Sequence, residues 1–173
     1  MNHYLIHPTS LAPLLIVDSG NGISMIDFIT GDTLHIPPDT VAQKTPLLQQ
    51  AAVQLTEYFA GRRRHFDLTL DERGTPFQRR VWAALRRIPY GRTWSYKQLA
   101  TEVDSPKGFR AVGMANNRNP ISIVTPCHRV IGSDGALVGY AGGIEIKRAL
   151  LNLEKRFFDP LSLGLFIDKA LSL

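Results

Sequence analysis

The chain has 173 residues, 44% hydrophobic and 20% charged, which is enough apolar side chain for a real core and too little chain for more than two small domains. Its start carries no basic leader, the first apolar run is broken by Pro13 and closed by Asp18, and nothing nears the roughly 18 apolar residues of a membrane span, so neither signal nor anchor is expected. The single cysteine, Cys127, excludes an internal disulfide and a multi-cysteine zinc site, and suits a reducing cytoplasm.

The net charge of +5 is unevenly spread: residues 1–74 carry 5 basic and 8 acidic groups, and residues 75–157 carry 14 and 5. A basic segment joined to a mildly acidic one fits a polyanion partner, although a basic segment is often only a solvated face.

In chain order, Leu14–Val17 and Ile23–Ile29 are apolar runs around Ser19-Gly20-Asn21-Gly22, a hairpin pattern. Ile36-Pro37-Pro38-Asp39 reads as loop. From Pro46, the spacing of Leu47, Leu48, Ala51, Leu55 and Phe59 predicts a helix that Gly61 stops. Phe66, Leu68 and Leu70 alternate and predict a strand. A boundary falls at Asp71–Gly74. Thr75-Pro76 then opens a helix with Phe77, Val81, Leu85 and Ile88 on one face, ending at Pro89-Tyr90-Gly91. Ser95 and Gln98 match a capping box for a short helix through Glu102, and Gly108–Asn117 can form a second.

Two short helices joined by a tight turn read either as a helical pair packed on a core or as a helix-turn-helix. The second carries Gly108, Ala111, Gly113 and Ala115. Such small residues let a backbone lie close to a ligand, and helical glycine, which costs about 1 kcal/mol relative to alanine, wants a reason. Ile121–Thr125 reads as a short buried strand, Gly132–Gly143 as a glycine-rich hairpin or loop, and Glu145–Arg156 as a helix with Ile146, Leu150, Leu153 and Phe157 inward. A short terminal helix is expected after Asp159.

Cys127 follows Pro126 at the end of that apolar segment and precedes His128 and Arg129. Both neighbours can favour a thiolate, and a paired imidazole lowers a thiol's pKa by units, which makes a nucleophile at neutral pH. His128 needs an orienting acid. Glu154 is the candidate for that role; as a helix residue it fits a surface charge equally well.

Pro126-Cys127-His128-Arg129-Val130, preceded by Asn119-Pro120 and Arg110-Ala111-Val112-Gly113 and followed by Gly139-Tyr140-Ala141-Gly142-Gly143, resembles the signature of the O6-alkylguanine-DNA alkyltransferases, or methylated-DNA–protein-cysteine methyltransferases. The match runs from about Gly74 to Arg156 without a gap. The resemblance implies that Cys127 accepts the alkyl group, with His128 as base through a bound water and Glu154 orienting it. It implies that Asn119 stabilises the active-site turn and that Tyr96 gives a proton or hydrogen bond to the leaving guanine. Arg110 would fill the place of the flipped nucleotide, from a minor-groove helix whose Ala111, Gly113 and Ala115 admit the backbone. Val130, Tyr140 and Ala141 would line the substrate pocket. These roles suit the chemistry, because the alkyl carbon is unreachable in stacked DNA and a base must be extruded to meet the thiol. The thioether product is stable, so the protein should act once.

Phe109 and Ala141 depart from the pattern. Phe109 stands where a small residue is usual, and Ala141 where some relatives have serine, which implies a pocket that tolerates bulkier groups. Relatives that bind zinc do so in their first domain; with no cysteine there and His3, His7, His35 and His65 scattered, no zinc is expected. Three other readings compete: a lesion-binding protein without transfer, which Cys127 argues against; a cysteine hydrolase, for which no oxyanion-hole motif is evident; and a sequence-specific regulator.

The expectation is an α/β (α+β) chain. Residues 1–73 form an RNase H-like sheet-and-helix scaffold, and residues 74–173 form a mainly helical, winged helix-like domain with the helix-turn-helix that binds DNA and transfers the alkyl group. Its partner is double-stranded DNA containing alkylated bases, with O4-alkylthymine and cooperative self-association on DNA left open. No cofactor, metal, membrane or obligate protein partner is expected, and the location is cytoplasmic.

Overall fold

The computed structural model describes residues 1–32 and 34–158. The short terminal helix expected after Asp159 lies outside them. The chain divides into two compact units, one formed by Met1–Arg73 with Pro120–Val124, the other by Gly74–Asn119 and the described residues from Thr125. Among the described residues, no helix is long and apolar enough to cross a membrane.

The first unit is a four-stranded sheet in the order β3-β2-β1-β4, made of β1 (Asn2–His7), β2 (Leu14–Asp18), β3 (Ile23–Phe28) and β4 (Thr40–Ala42). The hairpin is antiparallel with Leu14 opposite Phe28, β1 runs antiparallel to β2, and β4 runs parallel to β1. Central β2 is buried along its whole length, so it is a continuous apolar run rather than an alternating one. Helix α1 (Pro46–Phe59) packs against β1 and β2 and buries Leu48, Ala51 and Leu55. Its N-cap, Thr45, accepts from the Leu48 N–H.

Two predicted strands are absent. Residues 66–70 join the sheet only through one bridge between Leu70 and Ile23. The alternation is real, but side chains take the backbone polar groups: the Asp67 N–H donates to Gln54 Oε1 at 2.9 Å, and the Asp67 carbonyl accepts from Gln50 and Gln54 at 2.8 and 2.9 Å. Residues 121–125 make a single bridge from Ile121 to Ile26 and then turn. Ile123 sits there at φ 72°, a left-handed conformation that a β-branched residue adopts only under strain. Conversely, β1 and β4 are strands the sequence reading does not place; β4 is three residues long and pairs in parallel with the distant β1, Thr40 opposite Asn2.

The second unit is mainly helical. It comprises α2 (Pro76–Leu85), β5 (Trp94–Ser95), α3 (Tyr96–Glu102), α4 (Phe109–Asn117), β6 (Val130–Ile131) and α5 (Ile144–Phe158). Both capping boxes form: Thr75 with Gln78 opens α2, and Ser95 with Gln98 opens α3. Val81, Leu85, Ile88, Leu99, Val112 and Val130 share one core, and the Trp82 indole N–H donates to the Ala115 carbonyl at 2.8 Å. Helices α3 and α4 form the helix-turn-helix. Strands β5 and β6 pair in parallel, Trp94 with Val130, and so fix the start of α3 beside the chain that follows Cys127.

Helix α5 faces inward differently from the expectation. Its buried residues are Lys147, Leu150, Leu151 and Glu154; Ile146 and Leu153 are only half-buried, and Phe157 is exposed. The seam keeps helical spacing but begins and ends on a charged residue, which hides it from an apolar count.

Candidate active site

Every group of the candidate site lies in the second unit. Pro126 precedes a single 3-10 turn, Cys127–Arg129, closed by the Arg129 N–H on the Pro126 carbonyl at 3.0 Å. Cys127 is 5% exposed. Asn119 clamps the turn: its Nδ2 donates to the Thr125 carbonyl at 2.7 Å and to Cys127 Sγ at 3.1 Å. Arg86 holds the other side of Thr125 by donating to its Oγ1 at 2.9 Å. Burial pushes the Cys127 thiol up, while the Asn119 donor and the Lys147 charge pull it down. At rest it is a protonated thiol already aligned with a donor.

Behind it, His128 and Glu154 are fully buried and meet at 2.8 Å, Nε2 to Oε1. Arg129 grips the same carboxylate through Nε at 2.9 Å to Oε2 and Nη2 at 2.9 Å to Oε1, and its Nη1 donates to the Ile88 carbonyl at 2.7 Å. Burial alone would raise the Glu154 carboxyl, but His128 and Arg129 outweigh it and hold it at about 2. Burial lowers the His128 imidazole despite Glu154. An ionised carboxylate and a neutral ring assign the ring proton to Nε2, which donates to Glu154. Nδ1 keeps its lone pair, buried and without a hydrogen-bond partner among the described residues, which is the arrangement a general base needs.

Tyr96 opens α3 and packs against the same core. Its hydroxyl donates to the Val138 carbonyl at 3.0 Å, which also accepts from Lys147 Nζ at 2.9 Å. The Lys147 ammonium lies 5.9 Å from the Tyr96 ring centroid and is fully buried, which brings its pKa down to about 8. Tyr140 is half-buried against the core and Ala141 is exposed. Val130 is fully buried, so its side chain belongs to the core.

Helix α4 exposes Phe109, Arg110, Ala111, Met114 and Asn117, with Lys97, Lys107 and Arg118 exposed nearby in the chain. Gly113 faces Tyr96, where a Cβ would stand 3.8 Å from the ring. Ala115 was expected on the groove-facing surface and is not there. It is 2% exposed and packed in the core with Val112, its carbonyl accepting from the Trp82 indole N–H.

Sequence reasoning missed Arg129 as the second partner of Glu154, and it missed Lys147. A lysine three residues before Leu150 in an apolar register was the available signal. The structure brings together Cys127, Asn119, His128 and Glu154, with Tyr96 and Lys147 sharing the Val138 carbonyl. Arg110 and Ala111 stand apart on the exposed face of α4.

Two family models match. Residues 2–72 match the ribonuclease-like domain of 6-O-methylguanine DNA methyltransferase, and residues 76–156 match its DNA binding domain. The methylated-DNA–protein-cysteine methyltransferase of Methanosarcina barkeri is 47% identical over 154 residues, 88% of this chain and 97% of that protein. The constitutive enzyme of Bacillus subtilis is 47% identical over 159 residues, 90% of this chain and 96% of its own length. A crystal structure of Mycobacterium tuberculosis OGT in complex with DNA superposes with a TM-score of 0.82 at 43% identity, covering 90% of this chain and 94% of that one.

Proposed function

The chain belongs to the 6-O-methylguanine DNA methyltransferase family, and from that premise we propose that it repairs DNA by moving the alkyl group of O6-alkylguanine irreversibly onto Cys127. The observation that carries this reading is the buried cluster itself: a thiol fixed by Asn119, and a neutral imidazole held by an ionised carboxylate. Structural cysteines need neither.

In the proposed reaction the flipped base presents its alkyl carbon to Cys127 Sγ. The sulfur–carbon bond forms as the carbon–O6 bond breaks, and the bonding pair leaves with the guanine. His128 Nδ1 takes the thiol proton, directly or through one water, and the imidazolium is stabilised by Glu154. Tyr96 gives its own hydroxyl proton to the departing guanine, leaving a phenolate balanced by the imidazolium. Alignment and removal from water supply most of the acceleration, because the thiol is held before the substrate arrives. No group here breaks a thioether, so each molecule acts once.

In this reading residues 1–73 are scaffold, and residues 74–173 bind duplex DNA and carry the reaction. The exposed basic residues around α3 and α4 contact phosphates with little sequence preference, and Arg110 takes the place of the extruded nucleotide. The protein works as a monomer in the cytoplasm without cofactor or metal.

The test is intact-protein mass spectrometry after incubation with duplex DNA containing O6-methylguanine. The native protein should gain one methyl group on Cys127, and Cys127→Ser none. Tight lesion binding without a mass change would replace the proposal with a lesion-binding role.

A further inference from the structure

One buried polar side chain has no part in the scheme above. Asn116, in the last turn of α4, is 1% exposed, and neither end of its amide meets a hydrogen-bond partner among the described residues. Native interiors keep few such groups, because an unsatisfied amide opposes folding.

Its surroundings locate its task. Gly113, three residues earlier on the same helix face, would place a Cβ 3.8 Å from the Tyr96 ring. Gly139 would place one 3.4 Å from the Tyr96 hydroxyl and 3.2 Å from the Asn117 amide oxygen. The end of α4 and the loop at Val138–Gly139 therefore meet at the Tyr96 oxygen. There, burial raises the Tyr96 pKa and the Asn116 amide beside the hydroxyl draws it back down, although the two do not yet meet at regular hydrogen-bond geometry.

At rest the Tyr96 proton is engaged with the Val138 carbonyl. To serve a leaving base the hydroxyl must release that carbonyl, which Lys147 Nζ continues to satisfy. The Tyr96 oxygen then needs a donor of its own. We infer that Asn116 is a positioning residue for the transfer: its amide N–H takes the Tyr96 oxygen as the hydroxyl turns from Val138 to the guanine, and holds it while negative charge gathers there. The Tyr96 O–H bond breaks, its proton goes to the guanine with the bonding pair left by the alkyl carbon, and the phenolate is balanced by the imidazolium of His128. This inference rests on the alkyl-transfer reading.

The experiment measures single-turnover methyl transfer at saturating lesion DNA, across pH, for the native protein and Asn116→Leu, with Asn116→Ala as a second variant of smaller bulk. Thermal denaturation is followed in parallel. The expected result is a folded variant at least as stable as native, since an unsatisfied amide has been removed, with transfer slowed about tenfold to a hundredfold. The alkaline limb of its rate profile should move to higher pH, because Tyr96 without Asn116 holds its proton longer. The titratable groups facing Tyr96, Lys147 and Cys127, are the same in both proteins. In a Tyr96→Phe background the Asn116 substitution should add nothing.

A variant that transfers at the native rate overturns the inference, as does an equal loss in the Tyr96→Phe background or a rate loss explained by unfolding. Failure of the native protein to transfer any methyl would instead overturn the alkyl-transfer reading beneath it.

Discussion

Replacing Glu154 with glutamine takes one negative charge from beneath two buried partners. Arg129 is 6% exposed and Glu154 fully buried, so the guanidinium is left without a counter-charge, and removing one member of a buried pair costs about 3–5 kcal/mol. Glutamine keeps one acceptor for His128 Nε2, which favours the lower end. At about 2–4 °C per kcal/mol for a chain of this size, the melting temperature at pH 7 should fall by roughly 6–12 °C. The sign with pH follows from Glu154 being held at about 2, below its ordinary 4.5. A depressed carboxyl stabilises the fold fully above its unfolded value and loses that contribution as pH falls through the folded one. The gap between native and variant should therefore be constant above about pH 4.5 and close toward pH 2. Transfer should slow by about a hundredfold or more, since the imidazolium loses its anion. The double variant Arg129→Met/Glu154→Leu separates the two effects, regaining stability without regaining transfer. Circular-dichroism melts and single-turnover transfer read both quantities. A Glu154→Gln protein that melts and reacts like the native one would refute the reasoning.

Asn119→Ala should slow transfer and reduce the reaction of Cys127 with a small thiol reagent, because it removes the donor to Sγ and the clamp on Thr125; unchanged reactivity would assign Asn119 a purely structural part. Lys147→Met should raise stability most below pH 8, by roughly 3 kcal/mol, since burial lowers the folded-state pKa from 10.5 to about 8. The penalty on charging Lys147 is full below 8 and relieved as pH rises to 10.5, so denaturation midpoints of the two proteins should converge there. Gly113→Ala should stabilise α4 by about 0.5–1 kcal/mol, as a Cβ finds ordinary contact with Tyr96 at 3.8 Å; weaker DNA binding alongside that gain would show that α4 needs the smaller residue at the groove. Binding to undamaged duplex should fall steeply as salt rises from 50 to 200 mM, and a flat response would argue against phosphate contacts.

The parts legible in the sequence are those encoded locally. Thr75 and Ser95 each carry their glutamine partner three residues on, so both helix starts could be placed to the residue. Ser19–Gly22 joins two apolar runs, and the hairpin forms around it. The candidate site was legible because Cys127, His128 and Arg129 are contiguous in the sequence.

What escaped was set by tertiary exchange of partners. Alternation at 66–70 promised a ladder, yet Gln50 and Gln54 from α1 took the peptide groups that a neighbouring strand would have used. The inward seam of α5 keeps Leu150 but includes Lys147 and Glu154, charged residues that an apolar count passes over. Asn116 was invisible for the same reason. Beside Asn117 at the end of a helix it looks like an ordinary capping residue, and only its burial beside Tyr96 sets it apart. Gln54, Lys147, Glu154 and Asn116 are buried polar side chains where pattern alone would put solvent-facing ones, and at the last three the cost of burial falls within the cluster around Cys127. A fold selected for stability alone would put leucine at those positions, and the proposed alkyl transfer is what would be gained in exchange for that stability.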